Sequence, residues 1–288
     1  WGCESFTERK KSVRWMSGCG GGCGGNKDAS NLPDSKTIQE IQSLNAEVHA
    51  QYRESNYEGA LETANKAHEM INKVYGESHL FTASVLNNKA LIHKQMGHLA
   101  EASRLYDTAL SVYTSTVGED HPSYATALHN KALVQRLQGN ADEAVRLFSK
   151  ALDIRRKILG AEHTETAVSM HNLGSVVRDR GNIERAVELQ KLALNILRKR
   201  LGSQHLTTAT CMVALGLTRK RATQYEDALN LYSRALGVQR QELGARHTES
   251  ISTMHNIAEC YEEKGDANQA AQIRAEILRL LEPKSDIL

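Results

Sequence analysis

Small and apolar positions recur with a helical period through most of the 288-residue chain. In residues 124–165, Ala125, Leu128, Ala132 and Gln135 share one 3.6-residue face, and Gly139-Asn140 then interrupts the pattern. Gly139 supplies the left-handed residue that ends a helix, and Asn140, with Glu143 three residues on, has the spacing of a capping box. A second stripe follows, Ala144, Leu147, Phe148, Ala151, Leu152, Ile154 and Ile158, and stops at Gly160. Two antiparallel helices are predicted.

The same pattern returns every 42 residues without a gap, dividing the chain into units 40–81, 82–123, 124–165, 166–207, 208–249 and 250–283. One column reads Ala60, Ala102, Ala144, Ala186, Ala228, Ala270. Another reads Gly76, Gly118, Gly160, Gly202, Gly244, each followed three residues later by His79, His121, His163, His205 or His247. The inter-helix glycine column, Gly97, Gly139, Gly181 and Gly265, is broken by Ser55 and Thr223. Where two helices cross at ~8–10 Å the side chain at the crossing must be short. The Ala102 column and the column Ala90, Ala132, Gly174, Gly216, Ala258 supply such residues on the two helices. Bulky neighbours, Tyr106, Phe148 and Tyr232 on second helices and Leu86, Leu128, Met170, Met212 and Met254 on first helices, fill the remaining space.

The run Ala102-Ser-Arg-Leu-Tyr106-Asp-Thr-Ala109-Leu110 resembles the tetratricopeptide repeat. The longer period with Leu159-Gly160-Ala-Glu-His163 and Val117-Gly118-Glu-Asp-His121-Pro122 is similar to the kinesin light chain subtype of that repeat. The resemblance covers residues 40–283 and implies an all-α, right-handed superhelical α-solenoid of six helix pairs, with first helices lining a concave groove. Residues 1–39 lack the heptads through which a motor light chain is joined, so that role is not expected. In the last unit Arg274 and Ile277 stand where Tyr106 and Ala109 stand earlier, which predicts a terminal cap.

Composition narrows the picture. Only three prolines occur, at 33, 122 and 283, as long helices require, and no apolar run approaches the ~18 residues of a membrane span. The net charge is +2, and residues 1–36 alone carry six basic and four acidic side chains, so the repeats balance at zero. Aromatic residues are only 5% and both tryptophans, Trp1 and Trp15, precede the repeats, which argues against a stacking platform for nucleic acid. Residues 1–36 contain Gly18-Cys19-Gly20-Gly21-Gly22-Cys23-Gly24-Gly25 and predict a disordered tail, with residues 37–283 as the array and 284–288 as a second tail. Gly20 to Lys27 resembles a phosphate loop only loosely, because Asn26 and Asp28 replace the required glycine and hydroxyl residues. No apolar signal segment is visible, and Cys211 and Cys260 sit in apolar helical stretches as small buried hydrophobes, so a cytoplasmic, reducing location is expected.

No catalytic motif, metal set or cofactor motif is found, and neither enzymatic activity nor a cofactor is expected. The five loop histidines belong to successive units at least a helix-packing distance apart, too far to share an ion; the same loop hydrogen bond in every unit explains their recurrence. Offsets i, i+4, i+7 away from the packed face of the first helices give Asn45/His49/Tyr52, Asn87/Leu91/Lys94, His129/Leu133/Arg136, His171/Ser175/Arg178, Val213/Leu217/Lys220 and His255/Glu259/Glu262. In a groove these form a basic row, Lys94, Arg136, Arg178 and Lys220, beside Leu91, Leu133 and Leu217, with Asn88, Asn130 and Asn172 alongside. Asn amides bond an extended backbone, Arg holds carboxylates and Leu seats an apolar anchor. The complementary partner is an acidic peptide segment with a bulky hydrophobic residue, and the resemblance to cargo-binding kinesin light chain repeats points the same way. Two other readings stay open: the basic row only solvates an exposed face, or the chain is a structural subunit that binds through its convex face or array ends.

Overall fold

The computed structural model describes residues 34–282. All regular structure among them is helical. The helices are α1 (Ser35–Arg53), α2 (Tyr57–Tyr75), α3 (Leu80–Gln95), α4 (Leu99–Thr116), α5 (Pro122–Leu137), α6 (Ala141–Leu159), α7 (Thr164–Asp179), α8 (Ile183–Leu201), α9 (Leu206–Arg221), α10 (Tyr225–Leu243), α11 (Thr248–Lys264) and α12 (Ala267–Leu281). Helix α1 begins ahead of the expected boundary at residue 37 because Asp34 caps it, accepting from Thr37 N at 2.7 Å. The glycine- and cysteine-containing tail, the loose phosphate-loop match and the tail at 284–288 lie outside the described residues.

Packing divides the described chain after Ile158 into two compact units. From α1 to α5 and from α7 to α12 each helix packs on the next in sequence, and first helices also touch first helices of the following repeat: α3 with α5, α7 with α9, α9 with α11. The first helices therefore make the more crowded layer.

One turn joins the helices of every repeat. The residue opening the second helix donates its N–H to a carbonyl five residues back, as in Asn56 to Gln51, His98 to His93, Asn140 to Gln135 and Gln224 to Arg219, each at 2.9 Å. This closure needs a left-handed residue just before it. Gly97, Gly139, Gly181 and Gly265 provide it, and where the column is broken Ser55 (φ 62°) and Thr223 (φ 59°) adopt it all the same. The tertiary repeat thus overrides the local cost of a Cβ in that region.

The expected capping box at Asn140 and Glu143 is replaced by other bonds. The Glu143 carboxylate grips the Arg146 guanidinium at 2.6 and 2.8 Å, and Asn140 Nδ2 donates to Gln135 Oε1 at 2.8 Å. A bidentate guanidinium pair outcompetes a single backbone N–H. Ile158, at the end of the α6 stripe, is 38% exposed, whereas the rest of that stripe is buried.

The small columns sit at the crossings. Ala60, Ala102, Ala144, Ala186 and Ala228 are fully buried, and Ala90 and Ala132 face them from the first helices. At two crossings even a methyl group is excluded. A Cβ on Gly216 would lie 2.6 Å from the Tyr232 ring, and one on Gly174 would lie 2.8 Å from Gln190 Cγ.

The loop histidines explain the joints between repeats. His79, His121, His163, His205 and His247 are N-caps of α3, α5, α7, α9 and α11, and each Nδ1 accepts from the N–H two residues on at 3.1–3.2 Å. The repeated loop bond expected from the sequence is therefore a helix cap. A second bond closes the same loop: the hydroxyls of Thr82, Thr166, Thr208 and Ser250 donate to the carbonyls of Gly76, Gly160, Gly202 and Gly244 at 2.8–2.9 Å.

Candidate functional site on the first helices

In the unit ending at Ile158, the proposed surface lies on α3 and α5. Asn87, Asn88, Leu91, Asn130, Leu133 and Arg136 are half-buried side chains. Asn130 Nδ2 points at Asn87 Oδ1 across the two helices at 3.4 Å. Leu91 leans on the cluster of Val48, Tyr52, Ala64 and Ile92. Lys94 is only 8% exposed and His129 only 1%, so the flank that the spacing placed outward is covered here. His129 meets the Phe148 ring edge-on at 5.1 Å, and its Nδ1 lies 3.4 Å from a guanidinium nitrogen of Arg155, which also donates to Thr126 at 3.3 Å.

Arg155 is itself 5% exposed and was absent from the sequence-based set. Its signal was available: it stands where three other repeats carry the buried Ile71, Tyr113 and Leu197 and the fifth carries Gln239, so it is the one charged residue at that position among these repeats. With His129 it forms a polar insert beneath the surface residues.

In the unit beginning at Leu159, the surface lies on α7, α9 and α11. His171, Asn172, Leu217 and Lys220 are half-buried. Ser175 is buried, and Val213 and Leu217 pack against a core of Tyr232, Met254 and Ile257. Arg178 is 6% exposed and holds Asp179 through Nε at 3.1 Å and Nη2 at 2.8 Å. Arg221 approaches the same carboxylate at 3.7 Å. Lys220 Nζ bridges Glu259 at 2.9 Å and Glu263 at 3.0 Å. Burial alone would push the Lys220 ammonium down, yet the two carboxylates hold it above its ordinary value. The basic row in this unit is thus already neutralised by acids of the same unit. Asp179 and Glu263 lie outside the i, i+4, i+7 offsets, which is why the pattern did not include them.

Beneath this surface Gln190 is fully buried, accepting from Thr218 Oγ1 at 2.6 Å and reaching Ser175 Oγ at 3.4 Å. Cys211 and Cys260 are free, buried thiols; burial pushes Cys211 up to about 12 and Cys260 up to about 11. Among the described residues no group of three or more His, Cys, Asp or Glu side chains is placed to hold a metal ion, and no helix is long and apolar enough to cross a membrane.

Repeated helix pairs joined by one closed turn, with small residues at each crossing, define an α-solenoid repeat protein. The chain belongs to the tetratricopeptide repeat family, whose model matches residues 38–115, 83–157, 123–199, 174–241 and 213–282. Comparison with curated proteins returns no match. Among solved structures, the fold is similar to the nearly identical TPR-like repeats of a protein assigned as a kinesin light chain from Podosopora anserina (24% identity, 70% of this chain and 96% of that one, TM-score 0.59). It is also similar to BtubC (BKLC) from P. vanneervenii (18% identity, 86% and 91%, TM-score 0.61). A Rap protein complexed with Competence and Sporulation Factor matches at 15% identity over 87% and 77% of the two chains, with a TM-score of 0.62. Family membership supports a role in protein–protein interaction.

Proposed function

We propose that the chain is a non-catalytic, cytoplasmic adaptor that takes an extended peptide segment along its first-helix surface. The observation that carries this reading is the half-buried set Asn87, Asn130, Leu91, Leu133 and Arg136, in which amides, apolar seats and a guanidinium lie together on adjoining helices. Half-burial favours recognition over solvation: such side chains are already partly ordered, so less rotamer entropy is lost when a ligand covers them. An acidic segment with an apolar anchor is the matching partner, its carboxylate on Arg136 and its anchor between Leu91 and Leu133. His129 and Arg155 would act from below as positioning residues. Asn88, His171, Asn172, Leu217 and Lys220 extend the same reading on their own helices, with Arg178 and Lys220 presented as ion pairs.

The test is fluorescence anisotropy with labelled peptides, acidic with a tryptophan or leucine anchor, against charge-swapped and anchor-deleted versions. Arg136→Glu and Leu133→Ser are each expected to weaken the acidic peptide by about tenfold or more, the loss of one well-placed contact. Binding by both variants at the wild-type level would remove the groove from consideration. The alternative, a structural subunit bound through its outer face or ends, draws on Leu192 (51% exposed), Leu278 (64%) and Leu281 (58%) on second helices. Association abolished by Leu278→Glu but indifferent to Arg136→Glu would favour it.

A further inference from the structure

The turn of the second repeat departs from its counterparts. At the position opening the second helix, Asn56, Asn182 and Asp266 cap through a side-chain oxygen that accepts a backbone N–H at 3.1 Å. His98 occupies that position before α4 and makes no side-chain cap bond, as is also true of Gln224 before α10. Five residues earlier, at the end of α3, stands His93, and the two Nδ1 atoms are 3.4 Å apart. In the third repeat the same two positions hold Gln135 and Asn140, joined by an ordinary 2.8 Å amide bond. The second repeat therefore carries two imidazoles where the third carries an amide pair.

A hydrogen bond explains this exchange poorly. An N–H···O or N–H···N contact prefers about 2.9–3.0 Å, and 3.4 Å is long. That separation instead matches the edge of a tetrahedron: two nitrogens bound at about 2.0–2.1 Å to one ion stand roughly 3.3–3.4 Å apart. The backbone bond from His98 N to His93 O, at 2.9 Å, fixes the two residues relative to each other, so the pair is preorganised. The rings lie with centroids 5.7 Å apart and planes tilted by 43°. His98 is exposed, so its ring lies open to an ion from solvent.

We infer that His93 and His98 form a two-imidazole chelate for a divalent transition-metal ion of the zinc class, clipping the end of α3 to the start of α4. Two protein nitrogens leave the remaining coordination positions to water, so the site is exchangeable and open. It serves a bridging or regulatory ligand better than a sealed structural ion. The ion would take over the joint that the missing cap leaves weak.

The decisive variant is His93→Gln/His98→Asn, which copies the amide pair of the next repeat. Full-length wild type and variant are titrated with Zn2+ by calorimetry and melted with Zn2+ or with chelator. Wild type should bind one more equivalent of Zn2+ than the variant, and Zn2+ should raise its melting temperature by several degrees more. Because both proteins keep the same cysteines and the other ten histidines, those groups cancel in the difference. Equal stoichiometry and equal shifts would overturn the site. In chelator the variant should melt at or above wild type; if it instead melts far below, the single His98→Asn variant, which keeps only one imidazole, decides by the same difference.

Discussion

First and second helices solve different burial problems. Second helices bury one stripe, and their hidden residues are nearly all apolar, as in α4 with Ala102, Leu105, Tyr106, Ala109, Leu110 and Tyr113. First helices are covered on more than one side. Helix α9 buries ten residues, among them Thr207, Thr208, Thr210 and Thr218. A helix in the crowded layer cannot keep a clean polar face, so it hides small hydroxyls that bond its own carbonyls or a loop, as Thr210 and Thr208 do. Hidden hydroxyls and hidden aromatics carry different shares of stability, and that difference can be measured.

The largest effect should come from the second-helix side. Tyr232→Ala empties a fully buried site that Gly216 was shaped to receive, and a loss of about 3–5 kcal/mol in urea unfolding is expected. A loss below 1 kcal/mol would mean that the crossing collapses without harm and that the glycine is incidental. Next comes the first-helix loop. Thr208→Val keeps shape and removes the 2.9 Å bond to the Gly202 carbonyl, which should cost about 1–3 kcal/mol through an acceptor left short of its partner. An unchanged unfolding midpoint would show that solvent replaces the hydroxyl.

The smallest effect lies in acid. The His121 cap requires an unprotonated Nδ1, and burial lowers the pKa of this imidazole below its ordinary 6.5. The folded state thus resists the proton that the unfolded chain accepts. The cap's contribution is complete above pH 6.5 and is lost as the pH falls through the lower folded value. His121→Asn retains a capping oxygen and should flatten that segment of the stability profile by about 1 kcal/mol between pH 7 and 5. Superimposable profiles for the two proteins would rule the cap out as a proton-linked element.

The fold was legible because every repeat states the same solution again: the crossing columns, the Gly-x-x-His loops and the helix stops are all visible as periodic letters. Periodicity also placed Leu91, Leu133 and Leu217 at an accessible edge. It misjudged the flank holding Lys94, His129 and Arg178, because the offsets describe one helix and the burial of that flank is set by others. For Arg178 the covering group is Arg221 of α9, whose Nη1 donates to its carbonyl at 3.3 Å; for His129 it is Phe148 and Arg155 of α6. The clamp of Glu259 and Glu263 on Lys220 escaped for the same reason, since it joins residues about forty positions apart through the stacking of successive repeats. What repeats in sequence was readable; what a repeat does to its neighbour's charges was not.

The two buried thiols have a further consequence. Cys211 and Cys260 lie in consecutive repeats, on α9 and α11, each sealed and poorly ionised. An alkylating reagent can reach them only when their helices part from the stack, so their labelling rates are clocks for local opening. In a chain built from repeated units, two such clocks one repeat apart measure how far an opening spreads before it stops. The array therefore carries, in its own core, a ruler for its cooperativity.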